Sequence, residues 1–152
     1  MVPTLLAKTL PTTLSVRRLF IPTHVPPTAD RYVLAYIAFD LAYVNATHTN
    51  DYIGSLLKNV ATTNHSKRPE LARQLQRCHG FYGQAVQVPA EALNDLDSET
   101  YFNLGLLAVA ADHSARDCEV TFNAHSSLSR MNQNLRNLSK ICLVVSKLLT
   151  IS

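Results

Sequence analysis

The stretch AHSSLSRMNQNLRNLSKICLVVSKLL, residues 124–149, decides the fold class. Ala124, Leu128, Met131, Leu135, Leu138, Cys142, Val145 and Leu149 follow one another at alternating steps of four and three. That is the heptad spacing that lines one face of an α-helix. It predicts a long spine helix running from about Ala115 to Leu149, with a weak point near Ser126 and Ser127. A dimerising coiled coil places charged residues beside its seam. Here the flanking positions Asn132, Ser139 and Ser146 are uncharged, and Ile141, Leu143, Val144 and Leu148 widen the apolar stripe. The pattern therefore predicts a core helix of a bundle rather than a zipper.

Working outward, four more helices are expected. Helix A runs from about Ala29 to Thr47 behind a Thr28 cap and is apolar almost all round, with Asp40 as the exception. A helix apolar on every side is surrounded by protein, and a buried Asp40 calls for a partner such as an arginine. Helix B spans about Asn50 to Thr62. Helix C starts at Pro69, a residue suited to the first helical turn, and ends near Cys78, with Gly80 as its stop. Phe81 to Val88 alternates weakly, as a strand would, and Pro89 to Leu96 is a short helix. Helix D follows a Ser98 cap as far as about Asp112, with Tyr101, Leu104, Leu107 and Ala108 inward. The expected fold is all-α: a single bundle of about five helices over residues 28–152, preceded by an extended arm over residues 1–27. Five of the seven prolines lie in that arm, which forbids a long helix there.

Composition narrows the class. The chain has 152 residues, enough for one domain with a real core. Only 16% of residues are charged, against about 25% in a typical soluble domain. So little charge suits a surface that is largely covered in an assembly. The longest apolar runs, Tyr32–Phe39 and Ile141–Val145, fall far short of the roughly 20 residues of a membrane span. The three cysteines, Cys78, Cys118 and Cys142, are odd in number and form no C-x-x-C pair. They read as free buried thiols in a reducing compartment.

No constellation of reactive groups stands out. The six histidines and three cysteines show no metal-ligand spacing. The four glycines form no phosphate-cradling loop, and no signature joins a nucleophile to a base. Neither a metal, a cofactor nor catalysis is expected. The charge distribution carries more. The net charge is +3, and no acid occurs from Val120 to Ser152. Three basic groups follow: Arg17 and Arg18 in the arm; Lys67, Arg68, Arg73 and Arg77 around the start of helix C; and Arg130, Arg136 and Lys140 on the spine helix among Asn and Gln. Cations neutralise phosphates while amides bond sugars and bases, so these are candidate nucleic-acid contacts.

These features suggest a non-enzymatic assembly subunit. Its most specific form is a coat or nucleocapsid-type protein, packing beside copies of itself along single-stranded nucleic acid without sequence preference. The location would be intracellular or in a virion. The alternative is an accessory subunit of a mitochondrial complex, because the acid-free, hydroxyl-rich arm also has the composition of a transit peptide.

Overall fold

The chain is helical because its apolar residues recur on one side of successive helical turns, and four such lines face one axis. The computed structural model describes residues 27–63, 68–123 and 126–151. Within them lie α1 (Pro27–Thr63), α2 (Pro69–Asp97), α3 (Leu104–Thr121) and α4 (Ser129–Thr150). The described residues contain no strand. Each helix packs on its chain neighbours, and α1 closes the ring against α4. The result is an up-down-up-down bundle. The all-α expectation is met, with four helices among the described residues where five were expected. The arm expected over residues 1–27 lies outside the described residues, apart from Pro27.

Expected helices A and B are one helix. α1 passes through Thr47–Thr49 because its buried line continues unbroken: Ala35, Ala38, Phe39, Ala42, Ala46, Thr49 and Ile53. The Thr49 hydroxyl is satisfied inside the helix by donating to the Asn45 carbonyl at 2.9 Å. Among the described residues no cation pairs with Asp40, so the expected arginine partner is not there. Burial alone raises the pKa of its carboxyl.

Helix C, the strand at Phe81–Val88 and the short helix after it are likewise one helix, α2. Leu75, Cys78, Tyr82, Ala85, Pro89, Ala92 and Leu96 form a buried line at steps of three and four. Its six other members outweigh the glycines and the ring of Pro89. Ser98 caps the end of this helix and not the start of the next. The Thr100 amide donates to the Asp95 carbonyl and the Glu99 amide to Leu96, with Glu99 at φ 56°. This pair of bonds around a left-handed residue is a Schellman stop.

The spine helix is split in two. α3 ends at Thr121, and Asn123 takes a left-handed φ of 53°, a conformation asparagine tolerates. α4 restarts at Ser129, after the Ser126 hydroxyl accepts the Leu128 amide at 3.0 Å. The buried line of α4 is also rotated from the expected seam. Asn132, Ser139 and Ser146 are buried, whereas Met131 and Leu138 are only partly covered. Ala124, the expected first member of the seam, lies outside the described residues.

Cys78 and Cys118 form a disulfide that ties α2 to α3 across a Cα separation of 4.7 Å. This corrects the reading of both as free thiols. Their spacing hid the pair, which meets only because α2 and α3 run antiparallel. Cys142 is free and buried.

Candidate docking face

α3 and α4 lie antiparallel in a fixed register. A side chain at Gly105 would meet Leu143 and Ser146. Arg136 pairs with Asp112 at 2.9 Å, and Ser129 donates to Glu119 at 2.8 Å. Each contact advances one helix by seven residues as the other retreats by seven. The core sides of both helices are therefore fixed, and so are their outward sides.

The outward side of α3 is unusual. Phe102, Leu106, Val109, His113, Arg116 and Val120 share one stripe, again at steps of four and three. Phe102 is 75% exposed, Leu106 70% and Val120 65%. On α4 the neighbouring outward residues include Val144 and Ile151, each 59% exposed, beside exposed Lys140 and Lys147. Scattered exposed apolar residues are ordinary, but a run along one helix flanked by a second is the kind of patch that marks a candidate contact surface. The acid nearest its middle, Asp112, is already neutralised by Arg136. The face therefore combines an apolar strip with uncompensated lysines.

A polar network fixes this face from behind. Tyr82 donates to Asn132 at 2.8 Å, and Asn132 donates to Glu119 at 2.8 Å. Glu119 also receives the Ser129 hydroxyl. Burial, and then the Glu119 charge, push the Tyr82 phenol above its ordinary range. Burial likewise lifts the Cys142 thiol to about 12, so it stays protonated and inert at neutral pH. Tyr82, Asn132, Glu119 and Ser129 are engaged in holding α2, α3 and α4 together, and Cys142 is buried. Among the described residues no cluster of His, Cys, Asp or Glu could hold a metal ion. No described helix is long and apolar enough to cross a membrane.

A cavity of about 540 Å³ opens at the end of the bundle where α1 meets α2. Leu56, Val60, Leu71 and Phe122 line it, with Arg68 at its edge. It offers one cation, neutral polar groups from Asn59, Gln74, Ser126 and Ser127, and apolar walls, but no pair of reactive groups.

The sequence-predicted basic residues do not form one site. Arg17, Arg18 and Lys67 lie outside the described residues. Arg68, Arg73 and Arg77 are exposed at the start of α2, with Arg73 paired to Glu70. Arg130 and Lys140 are exposed on α4, while Arg136 is partly buried in its pair with Asp112. Sequence reasoning overlooked the α3 stripe, although Phe102, Leu106 and Val109 were what the inward assignment of Tyr101, Leu104, Leu107 and Ala108 left outside.

The plant invertase/pectin methylesterase inhibitor family matches residues 20–145. A pectinesterase inhibitor of Actinidia deliciosa is 31% identical over an alignment of 120 residues that covers 76% of this chain and 62% of that protein. The chain thus spans less than two thirds of that curated relative. The crystal structure of a pectin methylesterase inhibitor from Arabidopsis thaliana shares the fold, with a TM-score of 0.73 at 21% identity, covering 99% of this chain and 97% of that one. These matches overturn the coat or nucleocapsid reading and its mitochondrial alternative. They also overturn the partners that went with it, copies of the chain itself and single-stranded nucleic acid. With 126 of its residues inside the family match, the chain belongs to the plant invertase/pectin methylesterase inhibitor family.

Proposed function

We propose that this chain inhibits a pectin methylesterase by docking on it through the outward face of α3 and α4, and that it has no catalysis of its own. The exposed apolar stripe from Phe102 to Val120 carries the reading. Rigid helices present it, and an inhibitor of this kind acts by occupying a surface. The flanking Lys140 and Lys147 suit an acidic rim on the enzyme, which would speed and orient the encounter. In this proposal the bundle, residues 28–152, is the inhibitory unit and residues 1–27 are an appendage. The proposal puts the chain in an oxidising compartment, and the Cys78–Cys118 disulfide supports this. The intact mass of the chain isolated without reductant, lighter by the two thiol hydrogens, checks it.

The test is a titration of pectin methylesterase activity with the purified chain, following the acid released from methyl-esterified pectin. Wild type should inhibit. Leu106→Asp should raise the apparent inhibition constant by more than about tenfold, as loss of a central interface anchor does. Circular dichroism should be unchanged. If Leu106→Asp and Val144→Asp both inhibit as well as wild type, the enzyme uses another face. If the chain leaves esterases untouched and blocks an invertase instead, the esterase assignment falls.

A further inference from the structure

Three stretches match the acceptor pattern for N-linked glycans, an Asn followed two residues on by Ser or Thr with no proline between: Asn45-Ala46-Thr47, Asn64-His65-Ser66 and Asn137-Leu138-Ser139. In a reducing compartment the pattern has no meaning. The Cys78–Cys118 disulfide changes its standing, because disulfides form in the compartments where these glycans are added. Asn64 lies outside the described residues. Asn45 stands at the seam of α1 and α4, where it lines an open depression with Leu138 and Ile141. Asn137 differs from both. Arg136 before it reaches Asp112 on α3, and Leu138 after it packs against the core from the α1 side. Successive helix positions are about 100° apart, so Asn137 points outward between these two contacts, and it is exposed.

We infer, on the reading that puts the chain in an oxidising compartment, that Asn137 carries an N-linked glycan. Its side chain is presented for one. The Gln133 amide donates to Asn137 Oδ1 at 2.9 Å, while Nδ2, the atom that takes the sugar, has no partner among the described residues. In the transfer, Nδ2 bonds the anomeric carbon of an oligosaccharide held on a lipid diphosphate. The bond from that carbon to the diphosphate oxygen breaks, the lipid diphosphate leaves with the electron pair, and Nδ2 gives up one proton. Oδ1 keeps its bond from Gln133. The first sugar has a seat. The depression beside Asn137, about 360 Å³, has Asn134, Leu138 and Ile141 in its wall, and Ile141, one turn on, is 51% exposed. The apolar face of a sugar ring takes such surface from water, and the Asn134 amide offers its hydroxyls both a donor and an acceptor. Asn137 is turned away from the α3 contacts of Arg136 and Leu143, so the glycan borders the proposed docking face without filling it. Ser139 sets the timing. It is buried and donates to the Leu135 carbonyl at 2.8 Å, so the folded chain hides half of the motif. Transfer therefore precedes the packing of α4, a helix whose stability comes mainly from that packing.

The test is production of the full chain in plant cells behind a cleavable secretion leader, with intact mass read before and after peptide N-glycosidase. Wild type should carry N-linked glycan. Asn137→Gln should be lighter by the mass of one glycan, with far-ultraviolet circular dichroism unchanged. Ser139→Ala, which keeps Asn137 and removes only the hydroxyl that the transferase needs, should lose the same mass. A chain with its disulfide formed and no glycan overturns the inference and leaves the compartment reading standing. A glycan that Asn137→Gln keeps in full overturns it as well. A chain with neither disulfide nor glycan removes the compartment reading and the inference with it. Inhibition is no part of the readout, so the outcome is separate from which enzyme the chain docks on.

Discussion

α2 and α4 face each other across the bundle axis and bury their residues on the same three-and-four schedule, with different chemistry. The line on α2 is apolar apart from the Tyr82 hydroxyl and includes one covalent tie, at Cys78. The line on α4 alternates Leu135 and Cys142 with Asn132, Ser139 and Ser146. Each polar member of that line has a partner: Ser139 donates to the Leu135 carbonyl, Ser146 to the Leu143 carbonyl, and Asn132 bonds Tyr82 and Glu119. Helical periodicity thus specifies which positions are buried but not what fills them, and polar residues serve when every donor and acceptor is matched.

The largest effect should come from the apolar part of α4. Leu135 is fully buried, and Leu135→Ala should cost about 2–5 kcal/mol in chemical denaturation. A loss under about half a kcal/mol would mean that the polar members alone hold α4. On α2, replacing Cys78 and Cys118 together with Ala should cost about 2–4 kcal/mol, chiefly by freeing the unfolded chain; thermal melts with and without reductant give the same comparison. The link between the two lines comes next. Tyr82→Phe strips the donor from the buried Asn132 oxygen and should cost about 1–3 kcal/mol. The double variant Tyr82→Phe/Asn132→Leu should recover part of that loss. The smallest effect has the opposite sign. An added Cβ at Gly80 meets nothing within 4 Å, so Gly80→Ala should stabilise by up to about 1 kcal/mol through helix propensity. Destabilisation there would show that α2 is not regular helix at that point.

The same two helices show what could be read from sequence and what could not. No glycine or proline interrupts residues 124–149, so helical spacing was visible there. In α2, Gly80, Gly83 and Pro89 each resemble a terminator, although the buried line passes through all three. Tertiary packing overrode local propensity. The break between α3 and α4 depends on the left-handed backbone of Asn123, which competes with an otherwise continuous apolar pattern. The Cys78–Cys118 pair is forty residues apart and becomes neighbours only through helix order. Function was least legible because the proposed docking requires no reactive constellation. The stripe that carries the proposal, outward Phe102, Leu106 and Val109, has a spacing that looks the same whether a stripe faces the core or a partner.

The covalent link between Cys78 and Cys118 has a consequence for survival under proteolysis. The turn joining α2 to α3, with exposed Ser98, Glu99 and Phe102, is the kind of site where peptidases nick folded chains. A single cut there would leave two fragments held by the sulfur bridge and by two packed helix interfaces, α2 with α3 and α1 with α4. Such a nicked molecule, heavier by the one water of hydrolysis, stays a single covalent unit until a reductant is added, and the outward stripe beyond the cut keeps its place on α3.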